Sequence, residues 1–233
     1  MMDVLISRAI GADGTALWPD YIPLETLEQK RAEAGSIIFG LQYQNDALLA
    51  LGAVFRRGDF RWFDRAPEGL KVYQGVDLAI SASETADYFT IATVGFSKES
   101  GEYYVLECIS GRFSFLRQAG QIREAAARWK PSAIGIESTA YQAALADFLS
   151  GSAALPIRKI NRRVDKEMRA WTLAALFEGG RIFLSQSQTE LADELAAFPA
   201  GAHDDMFDAL ETAVSLARRP STSIGKFKFI RGV

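Results

Sequence analysis

Lys71-Val72-Tyr73-Gln74-Gly75-Val76-Asp77-Leu78-Ala79-Ile80 is the stretch on which the reading of this chain turns. From Val72 it alternates and carries β-branched residues, which predicts a strand over residues 72–80 with a single acid, Asp77, at its middle. A charge buried in an apolar strand is costly unless something compensates it. Working outward, two more strands are predicted over residues 88–97 and 102–110, joined by the turn 98–101 with Gly101 at its end. Phe115, Leu116, Ile122, Ala126 and Trp129 recur at helical spacing within residues 113–130, and Pro131 stops that helix. A short apolar strand, residues 132–136, follows and ends at Glu137.

Beyond it the pattern predicts a helix over 141–149, a strand over 155–160, a helix over 166–178, an extended piece over 181–184 and a helix over 190–198. Pro199-Ala200-Gly201 breaks the chain before a last helix, residues 204–217. Three antiparallel strands followed by parallel crossovers, with flanking helices, is an α/β mixed sheet of the ribonuclease H-like fold. In that fold a carboxylate on the first strand meets others from the fourth strand and the last helix. Residues 1–70 read as a connector or arm, with a helix over 24–34, a segment at 39–44 and an aromatic, Arg-rich patch over 55–65. Residues 218–233 read as a basic tail.

Composition narrows the class. Among 233 residues, 48% are hydrophobic and 24% charged, which excludes a disordered or fibrous chain. A lone Cys108 leaves no internal disulfide, and a lone His203 leaves no multi-His metal site. No apolar run reaches membrane-span length and no signal-peptide pattern opens the chain, so a soluble intracellular protein is expected. The net charge of -3 hides a split: residues 158–181 and 218–233 carry +4 and +5, which leaves -12 for the remainder. Positive charge gathered in two places suits a phosphate backbone; solvated surface charge is the alternative.

Three acidic positions could carry chemistry. These are Asp77, then Glu137 after the apolar run Ala133-Ile134-Gly135-Ile136, then His203-Asp204-Asp205-Met206-Phe207-Asp208-Ala209-Leu210. Each also has a structural explanation: Asp204 or His203 as a helix cap, Asp205 favoured by the helix dipole, Glu137 as cap of the next helix. Their joint fall on the first strand, the fourth strand and the last helix of one fold favours a shared role. Hard ions such as Mg²⁺ or Mn²⁺ choose carboxylate oxygens, and two of them about 4 Å apart hydrolyse phosphodiesters without a covalent intermediate. Asp77 is the natural bridge. Asp204 and Asp208 share a face at i,i+4 and Asp205 and Asp208 at i,i+3, so all three stay candidates. Asp87 and His203 are auxiliary candidates.

Together with Asp87-Tyr88, Ile136-Glu137-Ser138, Asp165-Lys166 with Arg169, Gly180-Arg181 and Phe198-Pro199, these residues resemble the nuclease domain of the large terminase subunit of tailed bacteriophages, over residues 71–217. Asp205-x-x-Asp208-Ala-Leu also resembles the last helix of Holliday-junction resolvases. Upstream, Leu17-Trp18-Pro19 and Phe39 to Asn45 resemble the stretch joining the family's ATPase motor to its nuclease. The resemblance implies metal-dependent endonucleolytic cutting of concatemeric double-stranded DNA with two Mg²⁺ or Mn²⁺ ions in the host cell cytoplasm. Portal and small terminase subunit are the implied partners. It carries Asp77, Glu137 and Asp204 or Asp205 over as metal ligands, and Arg162, Arg163, Lys166 and Arg169 acquire a role holding DNA phosphates. No GxxxxGK[ST] occurs in these residues, so ATP-driven translocation is not expected of them. A structure-selective junction resolvase, or a docking module for DNA or portal, are the competing readings.

Overall fold

A computed structural model describes residues 6–78, 88–137 and 155–218. Seven strands form one mixed sheet: β1 (Arg61–Phe63), β2 (Lys71–Asp77), β3 (Phe89–Phe96), β4 (Tyr103–Gly111), β5 (Ala133–Glu137), β6 (Ile157–Ile160) and β7 (Ile182–Ser185), in the order β1-β7-β4-β3-β2-β5-β6. The β2–β3–β4 meander is antiparallel, and β5 and β6 add in parallel beyond β2. This is the expected ribonuclease H-like order. At the other edge β7 pairs in parallel with β4, and β1 in parallel with β7. The helix expected over 141–149, Asp87, Ser138 and residues 219–233 of the tail lie outside the described residues.

The α-helices among the described residues are α1 (Leu24–Tyr43), α2 (Phe115–Trp129), α3 (Lys166–Glu178), α4 (Thr189–Ala197) and α5 (Asp205–Ala217). Alternation along the strands sends two sets of side chains to two separate cores. Val76, Phe89, Ile91, Ile134 and Ile136 pack with Ala119, Ile122 and Ala125 of α2. On the opposite face Tyr73, Ala92, Val94 and Val105 pack with Leu173 and Phe177 of α3, Leu191 and Leu195 of α4, and Phe207, Leu210 and Val214 of α5. Lys130, in the left-handed region at φ 46°, ends α2 before Pro131.

Val54, Phe55 and Phe60, expected within the arm, pack into this second core instead. Phe55 is 2% exposed and sets its ring about the rings of Phe177, Phe198 and Phe207, with centroids 5.9–6.0 Å away. Phe60 is buried beside Phe177, and Arg61–Phe63 becomes the edge strand. The aromatics there are buried one at a time and not on a helical or strand period, which is why pattern alone read them as a connector. The expected helix 24–34 and segment 39–44 are one element bent at Gly35, whose φ of 80° interrupts the helix. A Cβ at Gly35 would fall 2.5 Å from that of Ala175, so the bend also brings α1 against α3.

Candidate metal centre

Gly75 of β2 and Gly135 of β5 are direct partners in the parallel register, and α5 crosses the sheet over both. A Cβ on Gly75 would strike the Ala209 carbonyl and lie 2.5 Å from the Ala213 nitrogen; one on Gly135 would lie 2.6 Å from Cγ2 of Thr212. The helix therefore rests on bare backbone. Strand residues two apart share a face, so Asp77 and Glu137, each two beyond its glycine, project on the side that carries α5. The first turn of α5 supplies Asp205 and Asp208 to the same end of the sheet.

The electrostatics follow from this convergence. Burial, followed by the charges of Asp208, Asp205 and Glu137, pushes the Asp77 carboxyl up from 3.8 to about 8, with Lys166 opposing the shift. Lys166 Nζ lies 2.5 Å from Asp204 Oδ2 and 2.6 Å from Asp208 Oδ2. Arg169 donates from one nitrogen to Asp208 Oδ1 at 2.9 Å and to Glu211 Oε2 at 3.0 Å. Arg162 pairs with Glu211, reaches the Thr212 hydroxyl, and stands 3.9 Å from Glu137. Among the described residues, six carboxylates (Asp77, Glu137, Asp204, Asp205, Asp208, Glu211) thus face three cations.

That donor set is all hard oxygen and is short of positive charge, which is the chemistry a divalent cation such as Mg²⁺ or Mn²⁺ selects. The residues fit such an ion in kind. As the side chains stand, no three of these groups among the described residues are drawn into a ready ligand set, and both oxygens of Asp208 are held by cations.

A family model described as the terminase RNaseH-like domain matches residues 74–217, more than half of the chain. The chain belongs to this family. The terminase resemblance read from Asp77, Glu137 and the 203–210 run is thereby borne out, as is the ribonuclease H-like fold. The large terminase of a thermophilic bacteriophage is similar in structure, with a TM-score of 0.62 at 12% identity over 83% of this chain and 53% of that one. The chain thus spans about half the length of that relative. The large terminase nuclease of thermophilic phage G20c with bound cobalt gives a TM-score of 0.54 at 16% identity, covering 71% of this chain and 97% of that one. The P22 large terminase nuclease domain gives 0.57 at 14%, covering 72% and 93%. No match was found among curated proteins.

Within this terminase RNaseH-like domain the structure sorts the sequence candidates. Asp205 is 7% exposed and Asp208 is largely buried, whereas Asp204 is half-exposed and turned to Lys166. Asp204 holds the cap position of α5 without a side-chain cap bond, so capping does not account for it. The Phe207 N–H donates instead to Glu194 Oε1 of α4, at 2.8 Å. Burial raises the Glu194 carboxyl to about 7 against that hydrogen bond. His203 is exposed at the rim, 3.8 Å from Asp205, with its ring edge-on to Tyr88.

Of the basic group, Arg162, Lys166 and Arg169 are paired with carboxylates and Arg163 is exposed. Sequence spacing placed Lys166 and Arg169 on one helix face, and the crossover after β6 swings that face toward α5. Glu211 and Glu194 escaped the sequence reading. Glu211 carried a usable signal, three residues after Asp208 on the same helix face; Glu194 carried none.

Proposed function

We propose that this domain is a metal-dependent DNA endonuclease of a viral DNA-packaging terminase, cutting concatemeric double-stranded DNA by two-metal phosphodiester hydrolysis. The observation that carries it is the gathering of Asp205, Asp208 and Glu137 about the partly buried carboxyl of Asp77 at one end of the sheet. Asp77, Glu137, Asp205 and Asp208 are the residues that would hold Mg²⁺ or Mn²⁺, with Asp204 at the outer edge. When bound, a pair of such ions supplies an activated water and neutralises charge on the leaving oxygen. The G20c nuclease structures that carry magnesium or cobalt support the choice of a divalent ion.

The chain's own residues do the positioning. Asp77 ends a strand paired to β3 on one side and β5 on the other, which holds its backbone beside the end of β5 that carries Glu137. Arg169 and Arg162 hold Glu211 and Asp208, so that the first turns of α5 keep their place despite crowded negative charge. To the exposed His203 we assign the orienting of a water or a DNA strand at the rim, and to the exposed Arg163 a phosphate contact. Asp87 stays an auxiliary candidate outside the described residues. Portal and small terminase subunit are the partners we assign in the assembled packaging machine, in the bacterial cytoplasm. No helix among the described residues is long and apolar enough to cross a membrane.

Purified protein with Mn²⁺ at low salt is expected to nick and linearise supercoiled plasmid, and Asp77→Ala to abolish this. Plasmid left supercoiled by the wild type would overturn the proposal. Strong preference for four-way junctions over duplex would move it to the resolvase class.

A further inference from the structure

We propose that Lys166 is a resident counter-ion: its ammonium bridges Asp204 and Asp208 in the metal-free protein, and a divalent ion loads by displacing it. This rests on the reading of the acidic cluster as a metal centre, and adds the device that keeps the cluster folded when no ion is there.

Three features single out Lys166 from the other two cations. Its contacts, 2.5 Å to Asp204 and 2.6 Å to Asp208, go to two acids one helical turn apart on α5, where a cation shields them from each other. Its side chain is 34% exposed, whereas those of Arg169 and Arg162 are 13% and 14% exposed. Arg169 is also shared between Asp208 and Glu211, and Arg162 between Glu211 and Thr212. A lysine ammonium is a compact, strongly hydrated charge on a flexible stem, while a guanidinium fork is fixed by several bonds at once. Water can take back the lysine; it would have to undo a network to take back either arginine.

The backbone beneath Lys166 need not move. Asp165 caps α3 by accepting from the Met168 N–H at 2.8 Å, which anchors the turn from which the lysine departs. Its departure frees Asp208 Oδ2 while Arg169 keeps Oδ1. Asp208 then has one oxygen for an ion and the other for orientation. The cluster passes from a state closed by an amine to a state closed by a metal, and never stands with all its charge uncompensated.

The test compares wild type, Lys166→Met and Lys166→Arg as full chains. Melting in EDTA and Mn²⁺ titration by calorimetry are the two main readouts. We expect Lys166→Met to melt several degrees lower without metal yet to bind Mn²⁺ about five- to tenfold tighter, because a competing cation is gone. Lys166→Arg, which keeps the charge, should bind no tighter than wild type. Equal or weaker Mn²⁺ binding by Lys166→Met, with wild-type binding intact, overturns the counter-ion role and leaves the metal centre standing. No Mn²⁺ binding by the wild type removes both. The wild type alone supplies a further check that needs no variant to fold. In ¹⁵N-lysine spectra the protected ammonium signal of Lys166 should be lost at calorimetrically saturating Mg²⁺, and its persistence there overturns the proposal.

Discussion

Asp77→Asn should make the metal-free protein less stable in acid and more stable at neutral pH. The Asp77 carboxyl is raised from 3.8 to about 8 by burial and by three neighbouring acids. A raised acid holds its proton more tightly in the folded state than in the unfolded one. Its contribution is therefore fully present below about pH 4 and is lost progressively as pH rises toward 8. At about 1.4 kcal/mol per pH unit, the wild type forfeits roughly 4 kcal/mol by pH 7 relative to acid. Asparagine does not titrate, but its buried amide costs about 2 kcal/mol at every pH. The variant should be about 2 kcal/mol less stable near pH 4 and about 2 kcal/mol more stable near pH 7. For a chain of 233 residues that is about 4–8 °C in Tm, with a sign change between the two pH values. Thermal melts in EDTA from pH 4 to 8.5 read it directly. A Tm difference that stays flat with pH would refute the argument that burial and the neighbouring acids hold a proton on Asp77. The same variant should lose the Tm increase that Mn²⁺ gives the wild type, a trade of stability for function.

Gly75→Ala should be among the most damaging single-methyl changes in the protein, because its Cβ meets the α5 backbone at Ala209 and Ala213. A loss of about 3 kcal/mol or more in urea unfolding is expected, with plasmid nicking reduced in whatever remains folded. Arg169→Ala leaves Asp208 and Glu211 without their shared guanidinium and should cost about 3 kcal/mol by the same measurement. Phe55→Ala should cost about 3–5 kcal/mol, and a loss below about 1 kcal/mol would mean that Val54, Phe55 and Phe60 are not part of the core.

What the sequence disclosed follows from what a local pattern can carry. Asp77 and Glu137 stood out because an acid at the middle or end of an apolar strand is expensive wherever the strand ends up. The strand and helix order was legible for the same reason, since burial imposes periods of two and of about 3.6. Gly75 and Gly135 gave no such signal. Their role depends on which helix crosses them, and that helix lies far from either in the chain. Lys166 and Arg169 were recognised as a shared basic face, but direction is a tertiary property: the same spacing serves a face turned to DNA or one turned to Asp208 and Glu211. Phe55 and Phe60 were missed because they enter the core singly, around rings supplied by α3 and α5.

The seat of α5 on two facing glycines also bears on how the domain tolerates change. At Gly75 the gap between helix and sheet is set by the α5 backbone at Ala209 and Ala213, and over Gly135 by the Thr212 methyl and the Leu216 side chain. Exchanging Leu for Met or Val for Ile elsewhere in the core can loosen the molecule without changing that gap, so the separation of strand acids from helix acids is insulated from sequence drift. Selection can thus reshape the interior away from Gly75, Gly135, Thr212 and Leu216 while the ruler that spaces the carboxylates stays the same length.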